Sequence, residues 1–235
     1  MGLVLSACHP DEQFGEEEGG AIARLLREAF GDGVPLGQPG AAFFSDEPLG
    51  GEMAWSWWSE LQRFAAGALG EARVPQLLAV DAWFGVYVDV RTEPTKLRGG
   101  GGEDEARPEP HRPVEGERQS VWARVLGLVG VRSERERVMD AGAAAMRQMV
   151  RELGPRDGDM GSVQAGDLRA LKDELDALAS HLGVEASEEA VVRLGLSYAE
   201  DDARVEEDGH VQCFCHAWVT AHRALEMGCP MWVVK

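Results

Sequence analysis

Apolar residues recur at helical spacing along most of this chain, and only short runs show the pattern of strands. Leu168, Leu171, Leu175, Leu178 and Leu182 step by three and four residues, which lines one face of a helix that Gly183 ends. Ser187 suits an N-cap and predicts a second helix from Glu188 to about Ala199. A third is predicted from about His210 to Met227, stopped by Gly228 and Pro230, with Phe214, Trp218, Ala221 and Leu225 on its buried face. Nearer the N-terminus, Ile22, Leu25, Leu26 and Ala29 give an amphipathic helix over Glu16 to Phe30. Another is predicted from about Gly51 to Leu69, where Met53, Trp57, Trp58, Leu61, Phe64 and Ala68 share one arc and Trp55 falls outside it. Ser133 followed by Glu136 makes a capping box for a helix to about Leu153.

Strands are predicted at Leu3 to Ala7, Leu77 to Val80, Val86 to Val90 and Met231 to Val234. Trp122 to Val131 is apolar without a clean period and fits strand or helix. Together the elements predict an α+β fold, a small sheet of short strands partly covered by five or six helices. Residues 92–118 hold four consecutive glycines, four prolines and many charges, too little apolar surface to offset ordering, and so predict a flexible linker or insertion. That divides the chain into an N-terminal α/β part over 1–91 and a mainly helical part over 119–235. The final strand can return to the first sheet and make the two parts one domain.

Charge changes the picture more than composition does. Against 41 acids stand only 23 bases, a net charge of -18, and no basic cluster relieves it. Such a surface repels a phosphate backbone, which argues against nucleic acid and favours a basic protein as partner. Between Asp157 and Gly209 there are 15 acids and 4 bases, and the densest run carries Glu200, Asp201, Asp202, Glu206, Glu207 and Asp208. These six are the candidate partner-binding residues, with Trp55 as an aromatic anchor.

The opening MGLVLSAC resembles a lipoprotein cleavage string around Cys8, but it lacks the charged start and the apolar run of about 7–15 residues that a secretory signal needs. A strand is the expected reading. No apolar run approaches the roughly 18 residues of a membrane helix, and four cysteines do not make a disulfide framework. A cytoplasmic, reduced protein is expected, without membrane contact.

Soft metal ligands gather in HVQCFCHAWVTAH, which raises the possibility of zinc. Cys213 and His216, three apart on the side opposite Phe214 and Trp218, could supply two ligands, whereas Cys215 and His222 are two turns apart. Two ligands fall short of a structural zinc site, so no resident cofactor is expected. The segment DGDMGS lacks the glycine and the acid that an EF-hand loop requires, and nucleophile-elbow, HExxH and phosphate-loop motifs are missing. A metal-dependent or thiol enzyme built on the Cys/His helix is the competing class, and an accessory subunit of a larger assembly is a third.

The segments GSVQAGDLRALKDELDALASHLGV, YAEDD and HVQCFCHAWVTAHRALEMG, together with the short MGL-type first strand, resemble uncharacterised small acidic bacterial proteins of the immunity-protein type. The likeness covers about the first 90 and last 75 residues and leaves the middle as an insertion. It implies an acidic, cytoplasmic, non-catalytic protein that inhibits a partner by binding it, and it assigns no catalytic residue.

Overall fold

Alternation in GLVLSAC sends Leu3, Leu5 and Ala7 to one face of a strand and Val4, Ser6 and Cys8 to the other. In the computed structural model this strand, β1 (Gly2–Cys8), lies inside a six-stranded mixed sheet. The structure describes residues 2–50, 53–80, 84–90, 164–199 and 202–234, and within them only the backbone of 55, 84 and 202–207. Against β1 run β2 (Ala42–Phe44), β3 (Met53–Ala54) and β6 (Met231–Val234), all antiparallel. On the far side of β6 lies β4 (Phe84–Val88), antiparallel to it, and then β5 (Gln164–Asp167), parallel to β4. The final strand therefore does return to the first, with Leu5 opposite Val233, and residues from both ends of the chain share one sheet.

Each face of the sheet is covered. On one, Ile22, Ala23 and Leu26 of α2 (Glu16–Phe30) pack with Cys8, Val86, Val88 and Trp232, after the short helix α1 (Pro10–Phe14) has turned the chain. On the other, Leu3, Leu5, Tyr87, Met231 and Val233 meet the larger core. That core belongs to α4 (Trp55–Leu69), α5 (Pro75–Ala79), α6 (Leu168–His181), α7 (Glu188–Ala199) and α8 (Asp202–Met227). One further short helix, α3 (Asp46–Leu49), links β2 to β3. The fold is α+β, as the pattern predicts.

The periodic leucines behave as expected: Leu168, Leu171, Leu175 and Leu178 are fully buried, and Asp167 caps α6 by accepting from the amides of Arg169 and Ala170. Three expectations change: the helix expected from about Gly51 begins at Trp55, because Met53 and Ala54 pair with β1 as β3. Leu77 to Val80 is not a strand, because residues 75–79 form a helix with Pro75 in its first turn, and Glu174 of α6 accepts from the Gln76 and Leu77 amides at 2.8 Å each. Helix α8 begins at Asp202 rather than near His210 and breaks at Asp208 (φ -123°, ψ 35°). Just after the break a Cβ on Gly209 would come within 2.3 Å of the Trp57 indole, so glycine lets the two helices approach there.

From Val211 to Ala221, α8 is buried all round, packed by α4, α6, α7 and β1. It is the central helix, not an amphipathic one with an open side. The expected helix at 133–153, the segment 122–131, the linker 92–118 and DGDMGS lie outside the described residues. No helix among the described residues is long and apolar enough to cross a membrane.

Glu174 carries a pH signature. Burial outweighs its two amide bonds and lifts its pKa from the ordinary 4.5 to about 7. The folded state thus holds this proton more tightly than the unfolded chain. The resulting stabilisation is complete below about pH 4.5 and is lost as the pH rises through about 7. Glu174→Gln, which cannot ionise, is expected to gain on the wild type by about 1–3 kcal/mol between about pH 5 and pH 8, read from urea midpoints. Parallel pH curves for the two proteins would mean that Glu174 titrates as it does when unfolded.

Candidate functional site

The thiols that could carry chemistry lie inside the fold. Cys8, Cys213, Cys215 and Cys229 are all free and buried. Burial pushes the Cys8 thiol up to about 11 and Cys215 and Cys229 to about 12, and raises Cys213 further still. Thiolate, the reactive and metal-binding form, is therefore disfavoured at neutral pH.

Cys213 does not face solvent opposite the core, as the helical wheel suggests; it is fully buried and feels the charge of Glu60 on α4. His216, also fully buried, turns to the β2–α3 junction, where its Nδ1 lies 2.8 Å from Ser45 Oγ, and its Nε2 lies 3.3 Å from Gln212 Nε2. Thr220 Oγ1 donates to the His216 carbonyl at 2.7 Å. Gln212, His216 and Thr220 thus form a polar line through a buried helix, bonded along its length and to Ser45. Among the described residues no three His, Cys, Asp or Glu side chains come together in a way that could hold a metal ion.

The Ser45–His216 contact has the length of a nucleophile–base pair. Burial, partly countered by the charge of Asp46, lowers the His216 pKa to about 4, which leaves the imidazole neutral and a poor proton acceptor. Its role is to tie α8 to the start of α3.

A second polar group, on the α6–α8 seam, is built on Asp176. It accepts from Trp218 Nε1 at 2.8 Å, lies 3.1 Å from His222 Nε2 and pairs with Lys172. Burial alone would raise the Asp176 pKa, but the bonds from Lys172, His222 and Trp218 prevail and lower it. His222 stacks on Trp218, ring centroids 3.6 Å apart, and its own pKa is lowered because burial outweighs Asp176. At the end of β4, Asp89 is held by Arg169 through two bonds of 2.6 and 2.9 Å.

The outer surface offers something different. Among the described residues only two large hydrophobic side chains are exposed, Val4 at 43% and Leu196 at 42%, and each lines a depression, the first with one acid in its lining and the second with two acids and Arg193. Val4 borders a cavity of about 270 Å³ with Gly2, Leu3, Leu5, Ser45, Asp46 and Met53. This cavity arises because β2 pairs with Ser6 to Cys8 and β3 with Gly2 and Leu3, which leaves a gap beside Val4 and Leu5.

Leu196 borders a shallower depression on α7 with Glu188, Glu189, Val192 and Arg193. Positions 189, 192, 193 and 196 share one helix face. Short α3 packs on α7 between the two hollows. There a Cβ on Gly195 would come within 2.7 Å of Leu49 Cδ2, so the two elements sit close.

Of the six acids singled out from sequence, Glu200 and Asp201 lie outside the described residues, immediately after α7. Asp202, Glu206 and Glu207 are placed by backbone alone in the first turns of α8, and Asp208 sits at the break, half-buried. Trp55 opens α4 two residues after the cavity-lining Met53, its side chain outside the description. The hollows beside α3 and α7 were missed in the sequence; the visible signal was the pair of acids Asp46 and Glu47 after AFFS and the apolar position Leu196 on an otherwise polar face. Comparison with protein-family models, with curated proteins and with solved structures gave no match.

Proposed function

We propose that this protein acts by binding another protein, a basic one, and inhibits it in the manner of an immunity factor. One observation carries the reading: among the described residues the two exposed large hydrophobics each line a hollow that carries acid, Asp46 in one and Glu188 and Glu189 beside Arg193 in the other, in a chain of net charge -18. Apolar centres give an interface its binding energy, and surrounding charge selects the partner and speeds encounter. The buried His, Cys and Asp groups support the same reading, since their bonds and burial serve the fold. Occlusion of a cationic surface, with the acids from Glu200 to Asp208 guiding approach, is the mechanism.

The test is gentle capture of the tagged protein from its own cells, native mass spectrometry of the complex, and association kinetics with the partner found. Neutralising Glu200, Asp201, Asp202, Glu206, Glu207 and Asp208 together is expected to slow association about tenfold at low salt and to flatten its salt dependence. Leu196→Ala is expected to act on dissociation instead. A partner with no excess of basic residues, or an association rate that neither salt nor the neutralised variant changes, would overturn the reading.

A further inference from the structure

We propose that Glu174 is a proton-operated clasp on α5: as a carboxylate it holds the Gln76 and Leu77 amides together, and once protonated it keeps Leu77 and gives up Gln76 to water. This inference stands apart from the protein-binding reading and does not use it.

Helix α5 needs such a clasp. Five residues are too few for a helix to hold itself, and Val74, at its N-cap, offers no side-chain acceptor. Pro75 brings no amide, so Gln76 and Leu77 carry the first two that require a partner. Each takes one Glu174 oxygen, Oε1 for Gln76 and Oε2 for Leu77, at 2.8 Å. The carboxylate comes from α6 and is itself buried.

A proton divides the two oxygens. An ionised carboxylate accepts on both, whereas a neutral carboxyl carries a hydroxyl on one of them, a donor set against another donor. Burial decides which amide loses its partner. Leu77 is 1% exposed, and its amide would be stranded without Glu174. Gln76 is half-buried, so water can replace the carboxylate there. The residue stays close after release, because its carbonyl still accepts from the Tyr87 hydroxyl and its Oε1 from the Asp167 amide. The Gln76 bond favours the charged form, so the form without it binds the proton more tightly, and acid drives the release.

Among the described residues nothing cationic holds Glu174 ionised. Asp167 of β5 repels it, Tyr87 of β4 is neutral, and α5 carries no charged side chain. The bases of α6 and of the helices packed against it are engaged elsewhere: Arg169 with Asp89, Lys172 and His222 with Asp176, Arg223 with Glu188 and Glu226, Arg63 with the Ser59 carbonyl. Arg73, just before α5, is exposed and forms no ion pair with Glu174. Burial and this one-sided field together carry the Glu174 pKa to about 7, which brings the step into the neutral range.

Amide hydrogen exchange on the full chain, corrected for intrinsic rates, reads the clasp residue by residue. Protection at Gln76 is expected to fall about tenfold as the pH drops through about 7, while protection at Leu77 holds. Global stability rises over the same range, so the loss at Gln76 is distinct from unfolding of the whole chain. Glu174→Gln, which copies the neutral carboxyl, is expected to leave Gln76 at its low protection at every pH. Asp173→Asn, which alters the exposed acid beside it, is expected to keep the step.

A step at Gln76 that persists in Glu174→Gln, or one with its midpoint below about pH 5, would overturn the assignment to Glu174. Equal losses at Gln76 and Leu77 would replace the clasp with release of the whole helix. A Glu174 carboxyl whose 13C shift titrates near neutral pH while Gln76 stays protected would show that the protonated group keeps both amides, and the clasp would fall.

Discussion

Gly166→Ala is expected to destabilise the fold by about 3 kcal/mol, the upper end of what overpacking a well-filled core costs. A Cβ there would come within 2.3 Å of Tyr87 Cε1 and 2.4 Å of Cδ1. Strand register sets the clash, since Gly166 of β5 stands opposite Tyr87 of β4. The ring has no room to yield: Tyr87 is fully buried, and its hydroxyl donates to the Gln76 carbonyl at 2.9 Å. Gln76 is itself pinned, because its Oε1 accepts from the Asp167 amide at 2.7 Å and its own amide donates to Glu174. Any escape of the ring would therefore disturb the cap of α5 and the start of α6 together.

Gly20→Ala is the matched control. It sits within α2 with nothing within 4 Å of an added Cβ, and alanine there is expected to stabilise by about 0.5–1 kcal/mol. Urea unfolding of both variants reads the two signs. A Gly166→Ala protein within about 0.5 kcal/mol of wild type would show that the β4–β5 pair can slide apart without cost.

These residues also show what a sequence can and cannot disclose. The leucine ladder of α6 was legible because one side of that helix meets the core and the other meets water, which is the condition that makes period 3.6 visible. Helix α8 breaks that condition. Gln212, His216 and Thr220 repeat every fourth residue and so imitate a wet face, yet the structure buries them, bonding His216 to Ser45 and to Gln212 Nε2 and Thr220 to the His216 carbonyl, while Gln212 Oε1 stays buried without a partner.

The pattern of PQLLAV fits a strand as well as a helix, because what fixes helix α5 lies far away in the chain. Its amides are capped by Glu174, about a hundred residues away, and its carbonyls by Gln62. Strand β5, QAGD, carries no strand-forming residue and is placed by register with β4 and by the bond from the Asp167 amide to Gln76. The cavity was invisible for a related reason. It is a gap between two edge strands of three and two residues, too short to leave a pattern. The acidity was plain in the composition, and its arrangement around two apolar hollows was not.

Trp58→Ala is expected to cost about 4 kcal/mol, within the range for deleting a large buried aromatic. Trp58 is fully buried in α4 and its indole N–H donates to the Val80 carbonyl at 2.6 Å. Gln62, one turn on, donates to the same carbonyl and to that of Leu77, at 2.8 Å each. The two side chains thus close the C-terminal end of α5 and join it to α4. Trp58→Phe separates packing from bonding, since it keeps most of the ring and removes only the donor. Val80 retains its bond from Gln62, so this variant is expected to lose about 1–2 kcal/mol.

The cavity should respond differently from overall stability. Met53, which lines the cavity, precedes α4 by only two residues, and α4 is held in place through Trp58. Trp58→Phe is therefore expected to keep the wild-type NMR shift of the Met53 methyl, whereas any Trp58→Ala protein that still folds should move it as Met53 relaxes. Equal stability losses in the two variants, measured by urea unfolding, would mean that the indole N–H and not ring volume anchors α4, and the link from that anchor to the cavity would then have to run through Val80.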